Sequence, residues 1–193
     1  MASKENEMTY GFRSERDLNV QKVKFAREGG NVLRCHAQRG IREYPVSGHT
    51  FNMLCLLRIL YPDAPKELIW AVLQHDVPER IVGDIPHPAK HIGFIDATYL
   101  KETESELQVL VFGEDPESDL SEEDLLWFRG LDMIEFYLYC RDEQMLGNLS
   151  METKLLAVSK HIRDRKHHYH PKIVDFFFQV ESDGWETLSD KGE

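Results

Sequence analysis

Hydrophobic residues recur at three- and four-residue intervals along most of the chain, and no stretch sustains the one-in-two alternation of a half-buried strand. The pattern predicts an all-α fold. A first helix is expected from about Glu15 to the "EGGN" break at residues 28–31, where Gly29 and Gly30 end it. The next segment, "VLRCHAQRGIREYPVSGH", mixes basic residues, glycines and a proline and reads as a short helical turn followed by a loop. Ser47 then offers an N-cap for "GHTFNMLCLLRILY", whose Phe51, Leu54, Leu57 and Ile59 mark a core helix with His49 in its first turn.

"APKELIWAVLQHD" predicts a third, buried helix with Pro65 in its opening turn, and Pro78 disfavours simple continuation through Val77. Beyond a proline-rich loop, "DATYLKETESELQVLVF" predicts a fourth helix. "SEEDLLWFRGLDMIEFYLYCRDE" predicts a fifth, with a Ser-x-x-Asp start at Ser121 to Asp124 and Asp132 in its apolar middle. "METKLLAVSKHIRDRKH" and "PKIVDFFFQVE" complete the bundle, and the triple phenylalanine of the last is read as core in preference to a subunit contact. No repeat and no low-complexity linker is evident.

At 193 residues the chain has room for one domain with a real core, placed at 15–185 between flexible tails at 1–14 and 186–193. The formal charge of −11 gives no general attraction to a polyphosphate backbone, so a nucleic-acid scaffold is not expected; a small anion held by local basic residues remains compatible. Cys35, Cys55 and Cys140 are odd in number and widely spaced, which fits reduced thiols and a cytoplasmic setting. No apolar run approaches the roughly 18 residues of a membrane span.

Candidate chemistry concentrates in "LQHDVPERIVGDIPHPAKH", residues 73–91, which carries His75, Asp76, Glu79, Asp84, His87 and His91 where a helix is expected to stop. An adjacent His-Asp pair by itself is compatible with a plain helix end. Its weight grows with His49 at the start of one helix and Asp132 inside another, since a carboxylate in apolar surroundings needs a charge partner and a divalent cation supplies one. Two imidazoles and two carboxylates make a mixed N/O set suited to Zn, Mn, Co or Fe. "KHHYHP" at 166–171 is read as a solvent-facing loop, and His87 and His91 as polar surface.

The order His49, His75-Asp76, Asp132 resembles the HD superfamily of metal-dependent phosphohydrolases, with its H…HD…D ligands on a helical bundle. More closely, "VSGH" and "HDVPERIVGDIPHPAK" resemble the 5'-deoxynucleotidase branch, whose second block reads approximately HDxxExxxGDxPxPxK; a similar block occurs in viral relatives that remove triphosphate from deoxyadenosine triphosphate. The resemblance covers about residues 30–145. It implies an HD-type single-domain bundle, one divalent ion on His49, His75, Asp76 and Asp132, and proton transfer by Glu79 and Asp84, with the acid and base roles unassigned.

Arg34, Cys35 and Lys90 are the implied substrate contacts. Cys35 stands where the bacterial nucleotidases have a tryptophan associated with the deoxyribose, and Gly48 replaces an acidic residue before the first ligand histidine. The expectation is a homo-oligomeric phosphohydrolase of deoxynucleotides, first a 5'-deoxynucleotidase releasing phosphate from monophosphates. The alternatives are a triphosphohydrolase releasing triphosphate and, from another class, an inactive metal-binding nucleotide sensor. Intact Glu79 and Asp84 favour an enzyme over the sensor.

Overall fold

A computed structural model describes residues 15–86, 89, 95–183 and 185; the two expected tails, and Lys90 with His87 and His91, lie outside the described residues. Helices follow one another as α1 (Glu15–Gly29), α2 (Val46–Leu60), α3 (Lys66–Gln74), α4 (Glu79–Val82), α5 (Ala97–Phe112), α6 (Glu122–Met145), α7 (Glu152–Asp164) and α8 (Pro171–Asp183). Single 3₁₀ turns sit at Pro116–Asp119, Leu149–Met151 and Lys166–His168. Among the described residues there is no named strand, and an isolated bridge pairs Leu33 with Pro45. The all-α expectation therefore holds.

The 24-residue α6 forms the axis. It packs against α2, α3, α7 and α8, and Trp127, Leu131, Ile134, Tyr137 and Cys140 are buried on its successive turns. A helix apolar over most of its circumference is stable only when surrounded. Its start is as expected: the Ser121 hydroxyl accepts from the Asp124 amide at 3.1 Å. Gly130 brings α8 close, because a Cβ there would stand 3.1 Å from the Ile173 side chain. On α8, Ile173, Phe177 and Val180 recur at helical spacing and all point inward, so the phenylalanine run supplies core as read, while Phe178 stays partly exposed.

Two readings of α2 need correction. The helix begins at Val46 with Pro45 in the cap position, and Ser47 makes no side-chain cap. The Leu33–Pro45 bridge sets this start, since Val46 N–H donates to the Val32 carbonyl at 2.9 Å and Ser47 N–H to that of Gly30 at 2.9 Å. Phe51 and Ile59, expected in the core, are 66% and 73% exposed; the buried stripe is Val46, His49, Thr50, Met53 and Leu57. Apolar residues lie all round α2, so periodicity alone does not choose the inward face.

α3 stops at Gln74, as Pro78 predicts. Residues 75–78 form a turn in which Val77 N–H donates to Gln74 and Glu79 N–H to Asp76, and the short α4, which the sequence pattern did not predict, follows. The expectation for 166–171 is only partly met. Residues 166–168 are exposed, but Tyr169 is buried and the His170 ring stacks on Trp127 at 4.2 Å. Among the described residues no helix is long and apolar enough to cross a membrane, and the three cysteines are free thiols.

Candidate metal centre

α2, the end of α3 and the middle of α6 bring together side chains that are far apart in sequence. His49 is fully buried one turn into α2. His75 is the C-terminal cap of α3, with Asp76 next in the turn. Asp132 comes from α6. His49, His75 and Asp132 each offer a ligand atom within 4.8 Å of the others, and His49 Nε2 lies 3.2 Å from Asp132 Oδ1. Asp76 Oδ2 is 3.1 Å from His75 Nε2 and 3.8 Å from His49 Nε2. Ligand atoms about 3–3.5 Å apart are what bonds of roughly 2.0–2.2 Å to one ion require.

The donor set fits a divalent cation on a further observation. His49 Nε2, His75 Nε2 and Asp76 Oδ2 are buried and make no well-directed hydrogen bond. The two imidazole nitrogens instead face carboxylate oxygens, His49 Nε2 that of Asp132 at 3.2 Å and His75 Nε2 that of Asp76 at 3.1 Å, as ligands around one ion do, and Asp76 Oδ2 is ion-paired with Arg34 besides.

Each imidazole is oriented through its other nitrogen. His75 Nδ1 lies 2.9 Å from the Val72 carbonyl oxygen, its place as the donor following from that acceptor. His49 Nδ1 meets the Glu135 carboxylate, and the Tyr44 hydroxyl stands 3.0 Å away. The sequence reading named neither Glu135 nor Tyr44. The one available signal was spacing: Glu135 is three residues beyond Asp132 and shares its side of α6.

Protonation follows the surroundings. Burial, then the adjacent His49, pushes the His75 pKa down to about 3, so its ring is neutral near pH 7. Burial by itself works to raise the Asp132 pKa, but the close approach of His49 and the Arg34 charge outweigh it and hold the carboxyl below the usual carboxylate range. Burial likewise opposes charge on His49, whereas contacts with Asp132 and Glu135 raise its pKa on balance. Asp132 corrects one expectation. Its side chain is 42% exposed, and Arg34, His49 and His75 surround its inner edge in place of apolar groups.

Arg34 reaches the same centre from the loop after α1. One guanidinium nitrogen pairs with Asp76, and another lies 3.4 Å from Asp132. Its backbone N–H donates to the Tyr44 carbonyl at 2.8 Å, and the guanidinium sits 5.6 Å over the Tyr44 ring. Cys35 follows with φ +55°, a left-handed conformation uncommon outside glycine. Its N–H donates to Asp84 Oδ2 at 2.6 Å. Burial and the Asp84 charge push the Cys35 thiol up to about 11, which keeps it protonated near pH 7. Glu79 is buried at the start of α4, one turn beyond Asp76.

The HD-domain family pattern matches residues 31–172, most of the chain and every residue of this centre. The chain belongs to the HD-domain family. The resemblance to the HD superfamily is thereby borne out. Among solved structures, this HD domain is similar to the cyanophage S-2L HD phosphohydrolase DatZ, bound to dA and one catalytic Zn²⁺. The TM-score is 0.58 at 15% identity, covering 83% of this chain and 96% of that one. A comparison with curated proteins finds no match.

Proposed function

We propose that this HD domain is a metal-dependent phosphohydrolase of deoxynucleotides, acting as a 5'-deoxynucleotidase that releases phosphate from deoxynucleoside monophosphates. The observation that carries the proposal is the convergence of His49, His75, Asp76 and Asp132 with the Arg34 guanidinium on their edge. The likeness to a cyanophage enzyme holding dA and one Zn²⁺ supports a deoxynucleoside ligand and a single ion of that kind.

In this reading His49, His75, Asp76 and Asp132 hold the cation. A divalent ion at such a set lowers the pKa of water and screens phosphate charge. Arg34 presents a fork of N–H donors to the phosphate oxygens, a geometry suited to charge-assisted hydrogen bonds. Glu79 would carry one proton of the reaction. Asp84 is the second candidate, and its bond to the Cys35 amide also fixes the loop that carries Arg34. Lys90 remains a proposed phosphate contact. Cys35 is smaller than the tryptophan of the bacterial enzymes, so exclusion of a 2'-hydroxyl falls to its backbone and to neighbours such as His36, which lies 3.6 Å from Asp84.

The deciding experiment is a product assay across deoxynucleoside mono- and triphosphates with Zn, Mn, Co and Fe. Inorganic phosphate from monophosphates is expected. Triphosphate released from triphosphates would assign the triphosphohydrolase reaction instead, and metal and nucleotide binding without turnover would assign a sensor.

A further inference from the structure

Glu135 is 2% exposed, yet it is a carboxylate on the central helix. Its surroundings account for that. Oε2 meets both the Tyr44 hydroxyl and His49 Nδ1, and Oε1 accepts from Asn52 Nδ2 at 3.0 Å. Three polar groups from the chain before α2 and from α2 itself thus converge on one side chain of α6. A buried carboxylate is tolerated when hydrogen bonds of this kind fill its lone pairs.

The consequences run in two directions. Toward the centre, a carboxylate on Nδ1 holds the proton there and leaves the Nε2 lone pair of His49 facing Asp132 and Asp76. The Tyr44 hydroxyl donates to the same Oε2 and so braces the carboxylate against His49. Away from the centre, Tyr44 is clamped between partners: its ring stacks on Tyr139 at 3.9 Å and underlies Arg34. Its carbonyl receives the Arg34 N–H. The pair therefore fixes the imidazole on one side and the arginine loop on the other.

We infer that Glu135, held by Tyr44 and Asn52, is the positioning residue that sets the tautomer and orientation of His49 for a divalent cation. The inference rests on the metal-site reading above. It predicts a role for a carboxylate that touches neither ion nor substrate, and partners of that kind are worth about 10–100-fold in metal affinity.

The test measures Zn²⁺ affinity by competition with a chromophoric chelator, and His49 ¹⁵N shifts in the metal-free chain, for the parent and for Glu135→Gln, Glu135→Met and Tyr44→Phe. Glu135→Gln keeps an acceptor oxygen without the charge, so about a 10-fold weaker Zn²⁺ affinity with the Nδ1–H signature retained is expected. Glu135→Met keeps the volume and removes the acceptor; about a 100-fold loss and a changed ¹⁵N signature are expected. If Glu135→Met does not fold, Glu135→Gln and Tyr44→Phe carry the comparison. A merely structural role would lower the unfolding temperature and leave Zn²⁺ affinity and the ¹⁵N shifts at parental values; that result overturns the assignment. A parent chain that binds no divalent ion overturns the metal-site reading and this inference with it, whereas parental binding matched by every variant overturns Glu135 alone.

Discussion

Arg34 Nη2 lies 3.4 Å from Asp132 Oδ1 although 98 residues separate them in the chain. The same guanidinium pairs with Asp76 at the end of α3. One arginine therefore spans two carboxylates from different elements, and its charge offsets theirs in a space where burial makes an unbalanced charge costly. In the proposed reaction, a phosphate entering the centre would meet this fork at the edge of the candidate ligands.

Arg34→Ala is expected to weaken nucleotide binding by roughly 10- to 100-fold, the worth of a charge-assisted bond of about 1.5–3 kcal/mol. Binding of the matching deoxynucleoside, which lacks the phosphate, is expected to change little. Calorimetric titration with both ligands checks this, and an equal loss for the two would remove Arg34 from the phosphate. Matched ribo- and deoxyribonucleotides in the same titrations test the sugar preference.

His49→Ala and Asp132→Ala should each lower the bound divalent metal well below one ion per chain after dialysis, measured by elemental analysis. His75→Ala should do the same. Full metal content in all three variants would place the ion elsewhere.

Glu79→Ala is expected to keep its metal and lose about 10²–10⁴-fold in turnover, the usual contribution of general acid or base catalysis. Parental turnover with the best substrate would end its role in proton transfer.

Glu143 anchors the other end of the arginine loop. It is fully buried and accepts from the Ile41 and Arg42 amides at 2.6 and 3.0 Å and from Asn148 Nδ2 at 2.7 Å. Burial works to raise its pKa, but these donors and the Arg42 charge lower it on balance. A depressed carboxyl contributes stability that is present above its unfolded value of roughly 4.3 and is lost as pH falls through its folded value. Denaturation midpoints of the metal-free chain should therefore decline on acidification below about pH 4.3, and less steeply in Glu143→Gln. That variant should also be destabilised by about 1–3 kcal/mol near pH 7, because its NH₂ would confront a backbone donor. Identical pH profiles would contradict the assignment.

Gly29→Ala should destabilise the chain by about 1–3 kcal/mol. A Cβ on Gly29 would come 2.6 Å from the Val77 carbonyl oxygen, a backbone atom in the turn that carries His75 and Asp76. Gly29 was read as a helix terminator, and it does close α1, but its smallness also lets α1 seat against that turn. An unchanged denaturation midpoint would show that the turn yields at no cost.

The sequence by itself determined the helical class, most of the helix boundaries and the residue types at the centre. Helical periodicity, prolines and caps are local, so Ser121, Pro65 and Pro78 could be read in place, and the HD block is a contiguous motif that named His75, Asp76, Glu79 and Asp84 together. Only the tertiary structure decided which face of α2 turns inward, because a helix with apolar residues around its whole circumference has no unique buried side until α6 packs on it. The start of α2 was likewise set by the Leu33–Pro45 bridge and not by Ser47. Glu135 and Tyr44 were invisible for a related reason: their partnership joins residues 91 positions apart, and the bond to His49 spans 86. An isolated glutamate or tyrosine on a mixed helix or loop reads as surface until packing excludes water from it and leaves one another's polar atoms as the partners within reach.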